Sequence, residues 1–180
     1  MTCVVGVLVS GEGSNLQALL DAGLPVGAVA SNRPAVRALA RAEAAGVPAA
    51  VFELDGFPSR DARDLAMADW LAGRGVELVV CAGYMHLLTP AFLGRFPGRI
   101  VNVHPSLLPE FPGARAIADA LAAGVDTTGV TVHLVDEGLD TGHVIEQEPV
   151  PVEPRATLEE RIHAVEHRLL PKVVRELCAR

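Results

Sequence analysis

Lysine is nearly missing from this chain: one stands against fourteen arginines among 180 residues. Cysteine is scarce too. Cys3, Cys81 and Cys178 are odd in number, far apart and without metal-ligand spacing. That pattern argues against a disulfide framework or a zinc site and for small core or surface residues in a reducing compartment. No apolar run approaches the length of a membrane span, and no basic segment precedes an apolar stretch with a cleavage site, so a cytoplasmic protein without a membrane partner is expected. The net charge of −7 and a pI near 5.3, with the cations scattered rather than striped, exclude the nucleic-acid binders. Small anionic substrates stay open wherever a few donors converge. Aromatic residues make up only 4% while half of the chain is apolar, so small aliphatic side chains must build the core, as in an ordinary α/β domain.

What is present alternates strand and helix. Val4 to Val9 is an apolar run of the kind that forms a buried parallel strand. It enters Ser10-Gly11-Glu12-Gly13-Ser14-Asn15, and a helical pattern begins at Leu16. Such a turn has two readings: a tight turn with Ser14 or Asn15 as helix cap, or an anion site in which the amides of Gly13, Ser14 and Asn15 face a phosphate. The loop lacks the P-loop lysine, and Leu16 replaces the last small residue of a dinucleotide fingerprint, so neither ATP nor NAD is favoured. If an anion binds there, Glu12 must point away.

Further strands are expected at Val26 to Ala30, Ala49 to Phe52 and Leu78 to Cys81, with an Ala-rich helix ending at Gly46 and another capped by Ser59. Arg60 and Arg63, in the first turn of that helix, read as solvated surface or as an anion contact beside a cleft. Gly83-Tyr84-Met85-His86-Leu87-Leu88 is an apolar loop after the fourth strand and should line core or a ligand ring. Ile100 begins a fifth strand in which Asn102 and His104, two residues apart, share a face before Pro105 ends it. Two more strands, Thr128 to Leu134 and Val144 to Val152, flank the acidic turn Asp136 to Gly142, where Asp140 either is solvated or orients a histidine. The last helix should open with a Thr157/Glu160 capping box and kink or end at Pro171. Within it His163-Ala164-Val165-Glu166-His167 matches a zinc-peptidase signature. With Pro171 interrupting the short remainder and no good third ligand, no metal is expected.

Taken in order, the Gly loop, Gly83-Tyr84-Met85, Asn102-x-His104-Pro105-Ser106-Leu107-Leu108-Pro109 and Leu139-Asp140-x-Gly142 resemble the folate-dependent formyltransferases, in particular the phosphoribosylglycinamide formyltransferase family of purine biosynthesis. The resemblance spans almost the whole chain. It implies one domain, residues 1–180, with a Rossmann-like phosphate-binding half (1–100) and a catalytic and folate-binding half (101–180). The sheet would be doubly wound, with about seven mainly parallel strands, an antiparallel C-terminal part and helices on both faces. It implies transfer of a formyl group from 10-formyltetrahydrofolate to the amine of 5-phosphoribosylglycinamide, with Asn102, His104 and Asp140 as the catalytic trio. Asp140 would place a charge beside His104 so that its imidazolium is available. By the same resemblance Gly13, Ser14, Asn15 and Glu166 would bind the phosphoribosylglycinamide, while Arg60, Met85, His86, Leu87, Leu88 and Asn102 would bind the folate.

Three residues depart from the pattern: His86 where Arg or Lys is common, Arg115 where His is usual, and His143 where Pro is frequent. Rival readings are a formyltetrahydrofolate hydrolase, which usually carries an extra N-terminal domain, and methionyl-tRNA formyltransferase, which needs a tRNA-binding domain and a basic surface. A non-catalytic phosphate- or folate-binding module would have no use for the trio. A homodimer is left open.

Overall fold

The computed structural model describes residues 3–179. Each apolar run becomes a strand: β1 (Val4–Val9), β2 (Val26–Ser31), β3 (Ala49–Val51), β4 (Val76–Cys81), β5 (Ile100–His104), β6 (Thr127–Leu134) and β7 (Val144–Pro151). They form one sheet in the order β3-β2-β1-β4-β5-β6-β7. From β3 to β5 all pairings are parallel, whereas β5–β6 and β6–β7 are antiparallel. The chain winds outward from β1 in both directions, so a crevice opens at the carboxyl ends of β1 and β4, where open α/β sheets bind ligands.

Alternation along each strand sends apolar side chains to both faces. Val5, Val7 and Val9 pack with Leu16 and Leu19 of α1 (Ser14–Asp21), Ala38 and Ala42 of α2 (Arg37–Ala44), and Ile162, Leu169 and Val173 of the last helix. Leu8, Ala28 and Val79 point the other way, against Met67, Ala68 and Leu71 of α3 (Arg60–Ala72) and Phe92 of α4 (Pro90–Leu93). After α5 (Ala116–Ala123), the left-handed Gly124 ends the helix, as its position predicts.

Several local expectations fail for identifiable reasons. Gly13, not Ser14 or Asn15, is the N-cap of α1; it sits at φ 73° and no side chain caps the helix. A Cβ there would come within 2.6 Å of the Ala38 Cβ, so only glycine lets α2 pack this close. Thr157 precedes α6 (Leu158–Cys178) but forms no capping box. It belongs to a 3-10 turn, and its hydroxyl donates to the Pro154 carbonyl instead. Pro171 neither ends nor breaks α6, which runs seven residues past it. Burial of Leu169, Leu170, Pro171, Val173 and Val174 against the sheet offsets the ~3 kcal/mol such a proline costs a helix.

Two expectations about chemistry also change. Cys3 and Cys178 form a disulfide across a sequence separation of 175, with Cα atoms 5.1 Å apart. Their distance in sequence hid the fact that α6 returns to the amino end of β1. Arg63 is not surface at all: it is 0% exposed and pairs with Asp64, also 0% exposed, at 2.6 Å.

Candidate active site

A cavity of about 700 Å³ lies at the carboxyl ends of β1, β4 and β5. The loops after β1, β2, β4, β5 and β6, with helix α6, build its wall. At one end, the turn after β1 presents Gly11 to Asn15. The first amides of α1 have no intrahelical partner and face this end of the cavity, making it suited to an anion. Glu12 does turn away, its carboxylate 3.2 Å from Arg37. Glu166 of α6 is buried here and accepts a hydrogen bond from Asn15 Nδ2 at 3.1 Å. Burial pushes its carboxyl above the usual range, and neither the Asn15 bond nor nearby His163 reverses this.

The other end is made of side chains from β5, β6 and the turn between β6 and β7. Asn102 and His104 share a face of β5, as their spacing requires. Asp140 reaches both from above: its Oδ2 lies 3.5 Å from His104 Nδ1 and accepts the Gly113 amide at 2.8 Å, and its Oδ1 accepts from Asn102 Nδ2 at 3.4 Å. Burial would raise the Asp140 carboxyl, but hydrogen bonds from His133 and the Gly113 amide, with the charge of the two histidines, hold it below its ordinary value. Gly142 makes this approach feasible, since any Cβ there would overlap the Leu134 carbonyl oxygen at 1.7 Å.

His104 is fixed on its far side as well. Its Nε2 is 2.8 Å from the Phe111 carbonyl, which can only accept, so Nε2 carries a proton. Phe111 at φ 51° and Asp140 at φ 54° both occupy the left-handed region that non-glycine residues rarely adopt. Of the three non-glycine residues found there among the described residues, Ala35 being the third, these two are the ones that grip His104.

His133 is a member of this cluster that the sequence reading missed. It pairs with Asn102 across β5–β6, is 2% exposed, and donates from Nδ1 to the Leu134 carbonyl at 2.8 Å. Its Nε2 lies 3.2 Å from Asn102 Nδ2 and 3.6 Å from Asp140 Oδ1, against both residues. The signal was a histidine inside an apolar strand, legible only once the β5–β6 register is known.

Met85, His86, Leu87 and Leu88 line the cavity between the two ends. Met85 and Leu87 are 59% and 48% exposed, apolar surface without a protein partner. Arg60 is the one expected contact that does not line the cavity. Its guanidinium donates to the Leu87 carbonyl behind the loop, so it supports the wall from outside. Tyr84 and Leu139, part of the motifs but not of the expected contacts, also line the cavity. Among the described residues no group of three or more His, Cys, Asp or Glu side chains gathers to hold a metal. Glu166 of the His163–His167 stretch turns to Asn15 instead. No described helix is long and apolar enough to cross a membrane.

Comparison with known proteins assigns the architecture. A phosphoribosylglycinamide formyltransferase of Mycobacterium tuberculosis is 49% identical over 95% of this chain and 83% of its own length. The trifunctional purine biosynthetic protein adenosine-3 of Chironomus tentans is 43% identical over 95% of this chain, which spans only 13% of that relative. Among solved structures, glycinamide ribonucleotide transformylase 1 from Symbiobacterium toebii superposes with a TM-score of 0.95 at 44% identity, covering 99% of this chain and 88% of the other. The formyl transferase family profile matches residues 4–174, and the chain belongs to that family.

Proposed function

We propose that this enzyme transfers the formyl group of 10-formyltetrahydrofolate to the primary amine of 5-phosphoribosylglycinamide, a step of purine biosynthesis. The observation that carries the reading is the placement of Asp140 between His104 and Asn102 at the wall of a cavity whose opposite end is an uncapped helix N-terminus. A substrate with a phosphate at one end and an amine at the other fits that polarity. The amides of Gly13, Ser14 and Asn15 hold the phosphate, Glu166 contacts the adjoining polar groups, and the amine reaches Asn102 and His104. The folate lies along Met85, His86, Leu87 and Leu88, with Arg60 acting through the Leu87 carbonyl. Phosphate binding thus falls to residues 1–100 and catalysis chiefly to 101–180.

The amine nitrogen attacks the formyl carbon, forming a C–N bond while charge develops on the formyl oxygen. Donors from the Asn102 amide and protonated His104 stabilise that oxygen. His104 Nε2 is bonded to the Phe111 carbonyl, so the incoming oxygen competes with that carbonyl for the proton. Both ring nitrogens of His104 face oxygen atoms, the Phe111 carbonyl on one side and Asp140 on the other. As the intermediate collapses, the amine proton passes through Asp140 or water to N10 of the departing tetrahydrofolate, and the C–N10 bond breaks.

Absorbance of a 10-formylfolate donor tests the reading directly. Loss of donor that requires phosphoribosylglycinamide and vanishes in His104→Ala is the expected result. Equal loss without the amine would make the enzyme a hydrolase.

A further inference from the structure

The most heavily buried charges in the molecule lie outside the site just described. Arg63 and Asp64 sit in the first turns of α3, directly behind the 83–89 loop. Asp64 accepts the Arg63 Nε–H at 2.6 Å and the Thr89 amide at 2.8 Å. The guanidinium reaches on to His86, with Nη1 3.2 Å from the ring Nδ1, while its Nη2 is buried without a partner. Arginine can only donate, so Nδ1 of His86 must accept and the ring proton must sit on Nε2. That nitrogen lies 3.3 Å from Asn32 Nδ2, and because both are donors the Asn32 amide must turn its oxygen to the ring to accept the proton. Asn32 in turn is bonded to Ser10, whose hydroxyl accepts the Met85 amide at 2.9 Å. His86 is thus the link between a buried cation and the backbone of the cavity wall.

We propose that Arg63 is a positioning residue for the formyl donor: its buried guanidinium holds His86 as an uncharged acceptor and thereby sets the course of residues 84–88 along the donor half of the cavity. The inference rests on the reading of that half as the folate site. A second proton on His86 would put an N–H against the guanidinium N–H and a positive charge beside a positive charge. Around the ring stand Arg63, Arg60 and Arg33 as cations, Asp64 as the one anion, and Tyr84 edge-on at 6.0 Å between centroids. Burial and then Arg63 hold His86 below the usual histidine range, and burial pushes the Tyr84 hydroxyl upward. Arginine stays a cation throughout, so what can change is the proton count of the His86 ring, and a second proton there loosens the wall.

Donor affinity should therefore fall on acidification in the wild type and not in a variant whose residue 86 cannot titrate. The test measures 10-formyltetrahydrofolate binding by titration calorimetry, together with kcat and both KM values, from pH 5 to 8. In Arg63→Met the donor KM rises about tenfold at neutral pH, the worth of one charge-assisted hydrogen bond. Its kcat stays within about twofold, and Arg63→Lys recovers part of the loss. Because Arg63→Met leaves Asp64 unpaired and endangers the fold, His86→Gln is the second variant. It keeps an acceptor for Arg63 but cannot titrate, so its donor affinity should be flat with pH. An acid-side rise in donor KM that persists unchanged in His86→Gln overturns the proposal, as does an Arg63→Met variant in which kcat and both KM values change alike. Nitrogen NMR of the His86 ring supplies an arm independent of turnover: neutral at pH 6 in the wild type supports the proposal, protonated refutes it. An enzyme that never transfers formyl to phosphoribosylglycinamide defeats only the functional reading, since the ring titration is still read.

Discussion

Asp64 is a buried carboxylate and Asp140 a partly buried one; both accept a loop amide at 2.8 Å, from Thr89 and Gly113 respectively, yet they are built for different work. Asp64 has a permanent cation at 2.6 Å and no exposure. Asp140 has no permanent cation. It meets two histidines at 3.5 and 3.6 Å and an amide at 3.4 Å, and it opens on the cavity. The first arrangement is satisfied and closed, so its only product is position. Long contacts to partners that can gain or lose protons leave the second able to respond when a substrate arrives.

The sharpest way to break this contrast is to remove each carboxylate in turn. Asp64→Ala strands the buried Arg63 and should lower unfolding stability by about 3–5 kcal/mol, read by urea denaturation. A loss under about 1 kcal/mol would mean that the pair is not structural. Asp140→Asn should slow turnover by a factor corresponding to about 3–4 kcal/mol, with a melting temperature near that of the wild type. Near-normal turnover would remove Asp140 from the mechanism.

Glu166, buried like Asp64, is a third carboxylate that refines the comparison. Its folded pKa is raised, so ionisation at neutral pH works against the fold, and the effect disappears once pH falls below the usual value near 4.5, where folded and unfolded forms are both protonated. Glu166→Gln should accordingly raise the melting temperature at pH 7 and leave it unchanged at pH 4, while weakening phosphoribosylglycinamide binding. The smallest expected effect concerns Asp140 itself. Its folded pKa is depressed, so its contribution is full above its usual value near 3.8 and is lost as pH falls through the folded value. Any melting-temperature advantage of the wild type over Asp140→Asn should shrink below about pH 4.

These three carboxylates also mark how far the sequence can be read. Asn102 and His104 declare their common face by a spacing of two, whereas the acidic turn left Asp140 either solvated or beside a histidine, and only the family resemblance favoured the second. The apolar runs likewise disclosed every strand. Asp64 and Arg63 were not legible: what makes them core is His86 and Thr89, more than twenty residues away, and a first-turn arginine otherwise belongs to solvent. His133 needed the β5–β6 register. Thr157 and Glu160 matched a capping pattern whose geometry the preceding 3-10 turn had already excluded. In each case the missing knowledge was of a partner remote in sequence or of a neighbouring backbone conformation, and local pattern carries neither.

The Cys3–Cys178 bridge ties the amino end of β1 to the end of α6, and β1 rises six residues, about 20 Å, from there to the cavity. The covalent path thus closes into a near-complete ring whose clasp faces away from the chemistry. Additional polypeptide could be attached at either side of that clasp, or new ends cut elsewhere on the ring, without obstructing the mouth where substrates enter. The domain is in this sense a cartridge: its working end and its point of attachment lie at opposite poles.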